Sequence, residues 1–156
     1  MGGFVSSPAP AAQPEGALPH DGWYPGITLE ALRDTMRIPT VVTAQRLTAA
    51  ANAAMLTVSR ELRLWKAAQI AIGAVSLEAV LSDQFDWPEA IPLLYERAVY
   101  SFAAADIAET HSDISATNDA KDRSEARVLT ADEHRRNGTH AIRDILGTLR
   151  TTVELI

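Results

Sequence analysis

The chain has 156 residues, of which 47% are hydrophobic and 22% are charged, values typical of one globular domain with its own core. It has no cysteine, which excludes disulfides, thiolate catalysis and thiolate metal sites. Its formal net charge of −6 argues against general binding to DNA phosphates. No apolar run is near the roughly 20 residues that cross a bilayer, and we expect no signal peptide, because the N-terminal residues lack a basic region followed by a long apolar core. We therefore expect a soluble protein without a membrane partner.

Residues 1–26 are rich in proline and alanine. They include five of the chain's eight prolines, Pro8, Pro10, Pro14, Pro19 and Pro25. Proline at this density prevents a regular helix, so the sequence predicts a flexible arm that becomes ordered near Trp23 and Tyr24. The alternative is an arm that becomes ordered on a neighbouring subunit. Its anchors would be Phe4, Val5, Trp23 and Tyr24.

Two helices are predicted next. A short first helix begins after Thr28, a good N-cap, and ends before Pro39. A much longer second helix begins after Thr43 and runs to about Ile72, before Gly73. Its apolar residues recur every three or four positions, which places them on one stripe. The stripe consists of Leu47, Ala51, Ala54, Val58, Leu62 and Trp65.

Residues 73–87 are predicted to be a connection with one short turn after Ser76. Pro88 suits the first position of a third helix, which runs to about His111. The apolar stripe of this helix consists of Ile91, Leu94, Tyr95, Ala98, Phe102 and Ala105.

A fourth helix is predicted within residues 119–146, after a polar segment over 113–127. Its start is open, because Thr130 can act as an N-cap and Glu133 can complete a capping box. Asn137 and Gly138 weaken its middle. The residues predicted to face inward are Val128, Ala131, Ile142 and Ile145.

The last segment, residues 148–156, has the pattern of a strand. Leu149, Thr151, Val153 and Leu155 would share one face of it. No other segment of the sequence has a comparable strand pattern. Because backbone N–H and C=O groups need partners, we expect the pairing edge to belong to another molecule.

The sequence predicts no enzyme, cofactor or metal site. It contains no glycine-rich phosphate loop, nucleophile elbow or carboxylate pair at catalytic spacing. His134 and His140 are six positions apart, on different sides of a helix, and are expected to be solvated.

Two groups of charged residues each have two possible interpretations. Glu96 and Arg97 could pair with other helices or form surface ion pairs. The mixed-sign segment around Arg123, Arg127, Arg135 and Arg136 is either a solvated face or a subunit interface whose charges set the register between neighbours.

The third helix carries a resemblance to a known family. Its sequence Leu93-Leu-Tyr-Glu-Arg-Ala-Val-Tyr-Ser-Phe-Ala-Ala-Ala-Asp106 resembles the central helix of the head-completion proteins of temperate tailed phages with contractile tails. Weaker matches occur in the same order along residues 24–156. They are Tyr24-Pro25, Arg33 with Arg37, Thr43-Ala-Gln-Arg-Leu47, Ala141-Ile-Arg143, and Arg150 with Val153.

This resemblance implies a structural head–tail connector in the virion neck, assembled in the host cytoplasm. It implies a ring, typically of twelve copies, that lies below the portal protein, extends the DNA channel and docks the next neck or tail-terminator protein. DNA would pass through the lumen without specific binding. The portal-docking residues carried over are Arg150, Thr151, Thr152, Val153, Glu154, Leu155 and Ile156. The family-motif residues of the third helix are Tyr95, Glu96, Arg97 and Ala98.

We therefore predict an all-α fold, a bundle of about four helices. Residues 1–26 would be the flexible arm, 27–147 the helical adaptor domain and 148–156 a C-terminal docking strand. The alternative function is a helical accessory module that binds a partner other than the portal; a small helical enzyme ranks third. The predicted core consists of Leu47, Ala54, Val58, Leu62, Leu94, Ala98, Phe102, Ile142 and Ile145.

Overall fold

A computed structural model describes residues 17–82, 85–115 and 129–148 of the chain. Helices dominate it, as predicted, and one small antiparallel sheet accompanies them. Its elements are β1 (Ala17–Leu18), β2 (Ile27–Thr28), α1 (Leu29–Thr35), α2 (Ala44–Glu61), α3 (Arg63–Ala71), a 3-10 turn (Leu77–Ala79), α4 (Ala90–Ser115) and α5 (Ala131–Leu146). Within those ranges no helix is both long and apolar enough to cross a membrane.

The predicted second helix is divided in two. Its N-cap is confirmed, because the Thr43 hydroxyl accepts a hydrogen bond from the Arg46 N–H at 3.2 Å. At Leu62 the backbone leaves helical geometry, with φ −89° and ψ 1°, and α3 begins at the next residue. Leu62 itself is fully buried, so its side chain anchors the junction while α3 continues beyond the core.

The third and fourth predicted helices are present with shifted ends. Helix α4 begins at Ala90, two residues after Pro88, and extends past the predicted end to Ser115. Helix α5 begins after Thr130, whose side chain forms a capping box with Glu133. It ends at Gly147, whose φ of 69° suits glycine. Val128, predicted to face inward on this helix, lies outside the described residues.

The long helices run antiparallel. At one end of α2, the guanidinium of Arg46 donates to Thr110 at 2.7 Å and lies 3.4 Å from a carboxylate oxygen of Asp106, near the end of α4. Helix α5 returns along α4, where Gly138 lies against the ring of Phe102. Alanines fill much of the α2–α4 contact, and small side chains let helices approach closely.

The core forms between α2, α4 and α5. Of the nine residues predicted for it, seven are buried, and Leu94 and Phe102 are partly buried against it. The structure adds residues that periodicity did not select. They are Leu32, Val42, Leu77, Val80 and Tyr24.

The structure describes the last part of the predicted arm. Residues 17–28 form an N-terminal hook that folds back onto the bundle. Within it, Ala17 pairs with Thr28 and Leu18 with Ile27 in an antiparallel ladder of two residue pairs. Trp23 and Tyr24 are buried in the core of their own domain, because large aromatic side chains gain most from burial. Residues 1–16, including Phe4 and Val5, lie outside the described part of the chain.

Candidate interaction surface

An aromatic clasp holds the hook against the helices. Tyr24 stacks on Tyr95 of α4, with ring centroids 4.8 Å apart and 14° between the planes. Trp23 meets Tyr24 and Trp65 edge to face, at 5.0 and 6.1 Å. The Trp23 indole N–H donates to the Ala74 carbonyl at 3.1 Å. These contacts join the hook to α3, α4 and the connection after α3.

A charged pair closes the clasp from outside. The carboxylate of Asp21 accepts hydrogen bonds from the N–H groups of Trp23 and Tyr24 at 3.0 and 3.2 Å, and it also pairs with Lys66. The Lys66 ammonium lies 4.6 Å from the Tyr24 ring centroid and 5.1 Å from that of Trp23, within the range of a cation–π interaction. The positive charge of Lys66 therefore holds the hook in two ways, by the ion pair with Asp21 and by the cation–π contacts with Tyr24 and Trp23.

These contacts and burial shift the pKa values of Asp21, Tyr24 and Tyr95. Burial acts to raise the pKa of Asp21, but the hydrogen bonds from Lys66 and from the two backbone N–H groups outweigh it and hold that pKa well below its usual value. Burial, assisted by the Asp21 charge, raises the pKa of Tyr24 to about 12. Burial likewise raises the pKa of Tyr95. Both tyrosines are therefore neutral at neutral pH, and Asp21 is ionised.

The Asp21 contacts make stability dependent on pH. Since the folded-state pKa is depressed, the contribution of Asp21 is present above the unfolded pKa of about 4 and is lost as pH falls below it. We expect Asp21→Asn to lower the free energy of unfolding at pH 7 and to cost progressively less as pH falls below about 4. Urea unfolding of both proteins at pH 7 and pH 3 measures this. Asp34→Asn, at an exposed site in α1, is the control; an equal loss for Asp21→Asn at both pH values would contradict the assignment.

The family-motif residues of α4 divide into two pairs. Tyr95 and Ala98 are fully buried, so their role is in packing. Glu96 is half-buried and accepts a hydrogen bond from the Tyr100 hydroxyl at 2.6 Å, while Arg97 is exposed. Glu96 is thus held within its own helix, and it forms no ion pair with another helix in the described part of the chain. Glu96 and Arg97 are the motif residues available to a partner.

The outward side of α3 carries several exposed apolar side chains. None of the nine described residues of this helix is buried. Leu64 is 76% exposed, Ile72 79% and Val75 82%. Leu64 and Ile72 recur at helical spacing with the exposed alanines between them, and Val75 follows just beyond the end of the helix, after Gly73. We call this set of residues the α3 ridge. Its members are Leu64, Ala67, Ala68, Ala71, Ile72 and Val75. Contiguous exposed apolar surface of this kind marks interaction sites.

A groove lies between the first turns of α4 and the second half of the hook. It encloses about 280 Å³, and Pro25, Ile27, Pro92 and Leu93 form its apolar part. Two carboxylates, Glu89 and Glu96, also line it. We call it the α4 groove. Residues of the hook and Glu96 of the family motif line it, so this surface adjoins the aromatic clasp.

The mixed-sign face of α5 is partly used within the chain. Arg135 pairs with Glu109 of α4 and lies 3.3 Å from a carboxylate oxygen of Asp132. His134, expected to be solvated, is instead buried, because it lies on the same side of α5 as the buried Gly138, Ala141 and Ile145. Burial lowers the pKa of His134. Arg123 and Arg127 lie outside the described residues.

The described residues contain no group of three His, Asp or Glu side chains arranged to hold a metal ion. The predicted docking residues, Arg150–Ile156, lie outside the described part of the chain. The structure instead brings forward two surfaces that sequence reasoning missed, the α3 ridge and the α4 groove. Part of the signal for the α3 ridge was present in the sequence, because Leu64, Ala68 and Ala71 have helical spacing.

Comparison with known proteins identifies the family of this chain. The model of the family described as phage head completion protein (GPL) matches residues 18–156. This chain belongs to the phage head completion protein family. The match begins inside the hook and excludes residues 1–17, so the aromatic clasp is part of the head completion domain.

A curated relative agrees with this family. The head completion/stabilization protein of Escherichia phage P2 is 29% identical over 154 residues, which cover 99% of this chain and 90% of the relative. No solved structure matches the chain. The resemblance based on the third helix is confirmed, and the chain is a structural head completion protein of a phage virion.

Proposed function

We propose that this head completion protein is a head–tail connector, which forms a ring below the portal protein and extends the DNA channel. The family match over residues 18–156 carries this proposal. The α3 ridge supports it, because a small helical domain with a fully exposed apolar helix face is suited to assembly with other subunits. The protein acts through binding and has no catalytic step.

Three kinds of partner follow from this position in the neck. Neighbouring copies, twelve in the proposed ring, would contact one another side by side. The portal would receive the segment Arg150–Ile156 as an added strand, whose main-chain hydrogen bonds supply affinity and whose side chains Val153 and Leu155 supply selectivity. The next neck or tail-terminator protein would bind the opposite side of the ring. DNA would pass an acidic protein without specific binding, consistent with the net charge of −6.

Deletion of Thr151–Ile156 is the direct test of portal docking. We expect the truncated chain to stay folded, because the described core ends with α5, and to lose binding to purified portal rings. Sedimentation of the chain with portal rings measures binding, and circular dichroism checks the fold. If the truncated protein still decorates portal rings normally, docking through this segment is wrong.

Substitutions on the two faces of the segment refine this test. Val153→Asp with Leu155→Asp alters the face predicted to enter the portal, whereas Thr152→Asp with Ile156→Asp alters the other face by the same charge. Strand addition predicts that the first pair weakens binding more. A full-length chain that never binds portal rings would favour the alternative function, a helical accessory module with another partner.

A further inference from the structure

The α3 ridge and the α4 groove both adjoin the hook, at different parts of it. Lys66 and Trp65 of α3 contact Asp21, Trp23 and Tyr24, the first half of the hook. The second half of the hook, from Pro25 onward, forms one wall of the α4 groove. One subunit therefore presents an exposed apolar helix surface beside the first half of the hook and a recessed, partly apolar surface beside the second half.

The charges beside these two surfaces are complementary. Arg60 and Arg63 are exposed where α2 meets α3, with Glu61 between them, so the approach to the ridge has a net positive charge. Neither arginine has an ion pair with a described residue. At the other surface, Glu89 and Glu96 line the groove.

Both carboxylates of the groove are held in place by a neighbour. Glu89 accepts from the indole N–H of Trp87 at 2.5 Å, and Glu96 accepts from the Tyr100 hydroxyl at 2.6 Å. A carboxylate has about four lone-pair sites, so each can still accept hydrogen bonds from an arginine. Held carboxylates lose less conformational freedom when an arginine of another molecule binds.

We propose that the α3 ridge of one copy of this chain docks into the α4 groove of the next copy. Leu64 and the alanines after it enter the apolar groove, and the arginines at the start of the ridge meet Glu89 and Glu96. The two surfaces are unlike, so the contact is heterologous: each copy uses its ridge toward one neighbour and its groove toward the other. Contacts of this type close into a ring when the rotation between copies allows it. This inference rests on the proposed function, because it names the contact that builds the connector ring.

Cysteine cross-linking tests the pairing directly, because the natural chain has no cysteine. The full-length double variant Ala71→Cys/Leu93→Cys is oxidised both free at high concentration and on portal rings. We expect a ladder of covalent oligomers, with neither single variant giving more than monomer. A mixture of the two single variants should give a covalent dimer. Dimers of Ala71→Cys alone would show a symmetric ridge-to-ridge contact and overturn the proposal, as would the lack of any ladder in both conditions.

Charge reversal provides a second test that does not depend on oxidation. Arg60→Glu/Arg63→Glu should weaken self-association about tenfold or more, and Glu89→Arg/Glu96→Arg should do the same. The chain with all four substitutions should recover, since the charges are complementary again. Analytical ultracentrifugation, free and with portal rings, measures association. Failure of the fourfold variant to recover, with circular dichroism unchanged, would overturn the pairing.

The apolar part of the contact has a matched control. Leu64→Asp introduces a carboxylate on the ridge, and Val41→Asp introduces one at a similarly exposed apolar site, 72% exposed, before α2. Only the first should abolish the ladder. A chain that binds portal rings but gives no ladder leaves the proposed function standing and refutes this contact. A chain that never binds portal rings counts against the proposed function instead.

Discussion

Replacement of Tyr95 by alanine is expected to lower the free energy of unfolding by about 3–5 kcal/mol, enough to unfold many domains of this size. Tyr95 is completely buried, stacks on Tyr24 and connects α4 to the hook. Its loss would leave a cavity and also release the hook from its largest contact. Urea unfolding, followed by far-ultraviolet circular dichroism, measures the change.

Two further variants test the reason for this effect. Arg97→Ala, two positions along the same motif and exposed, should change the free energy of unfolding by less than about 0.5 kcal/mol. Tyr95→Phe should cost little, because the Tyr95 hydroxyl has no hydrogen-bond partner in the described part of the chain. A loss in Tyr95→Phe as large as that in Tyr95→Ala would show that the hydroxyl, rather than the ring, stabilises the clasp.

Enlargement of Gly138 is the second change with a large expected effect. A Cβ atom at this position would lie 2.8 Å from the nearest atom of the Phe102 ring, closer than carbon atoms pack. Gly138→Leu gains helix propensity of about 1 kcal/mol. The clash and the displacement of α5 from α4 should still give a net loss of about 1–3 kcal/mol in the free energy of unfolding.

Two further variants provide a control for Gly138→Leu and a rescue of its expected loss of stability. Arg136→Leu introduces the same side chain on the exposed side of α5 and should be nearly neutral. Phe102→Ala in the Gly138→Leu background provides the missing space and should recover part of the loss. Chemical denaturation measures all four proteins. If Gly138→Leu were more stable than the natural chain, close contact between these helices would not limit the size of residue 138.

Local signals in the sequence predicted most of the helices. Thr43 and the pair Thr130 and Glu133 were identified as caps, and both caps are present, because capping depends on residues within one turn of each other. The stripe from Leu47 to Leu62 is buried as its spacing predicted. Gly138 was recognised as a weak point of α5, although the reason for it, the Phe102 ring, lies on another helix.

The clasp could not be predicted in this way. Trp23 and Tyr24 contact Trp65, Lys66 and Tyr95, which are distant in the sequence and share no periodic pattern with them. The proline content of residues 1–26 therefore suggested a flexible arm that becomes ordered only near Trp23 and Tyr24. Proline excludes a regular helix but permits an extended hook, and burial of two aromatic rings supplies the free energy to order it.

The division of the second helix was missed for a related reason. Neither glycine nor proline occurs at Leu62, so the apolar pattern predicted a continuous helix toward Ile72. Because the stripe was assigned to the core, the residues on the other side of α3 were not considered as a surface. Their apolar character becomes visible only when the structure shows that nothing in the described part of the chain covers them. The portal-docking role of Arg150–Ile156 stays a prediction.

The clasp also has a consequence for the order in which the protein folds during synthesis. The hook leaves the ribosome first, but Tyr95, on which Tyr24 stacks, follows about 70 residues later. At about 5–20 residues per second, Tyr24 waits roughly 4–14 s for this partner. Over this interval α2 emerges without α4, which packs against it. The N-terminal segment of this protein is therefore made early and docks late, when α4 has left the ribosome.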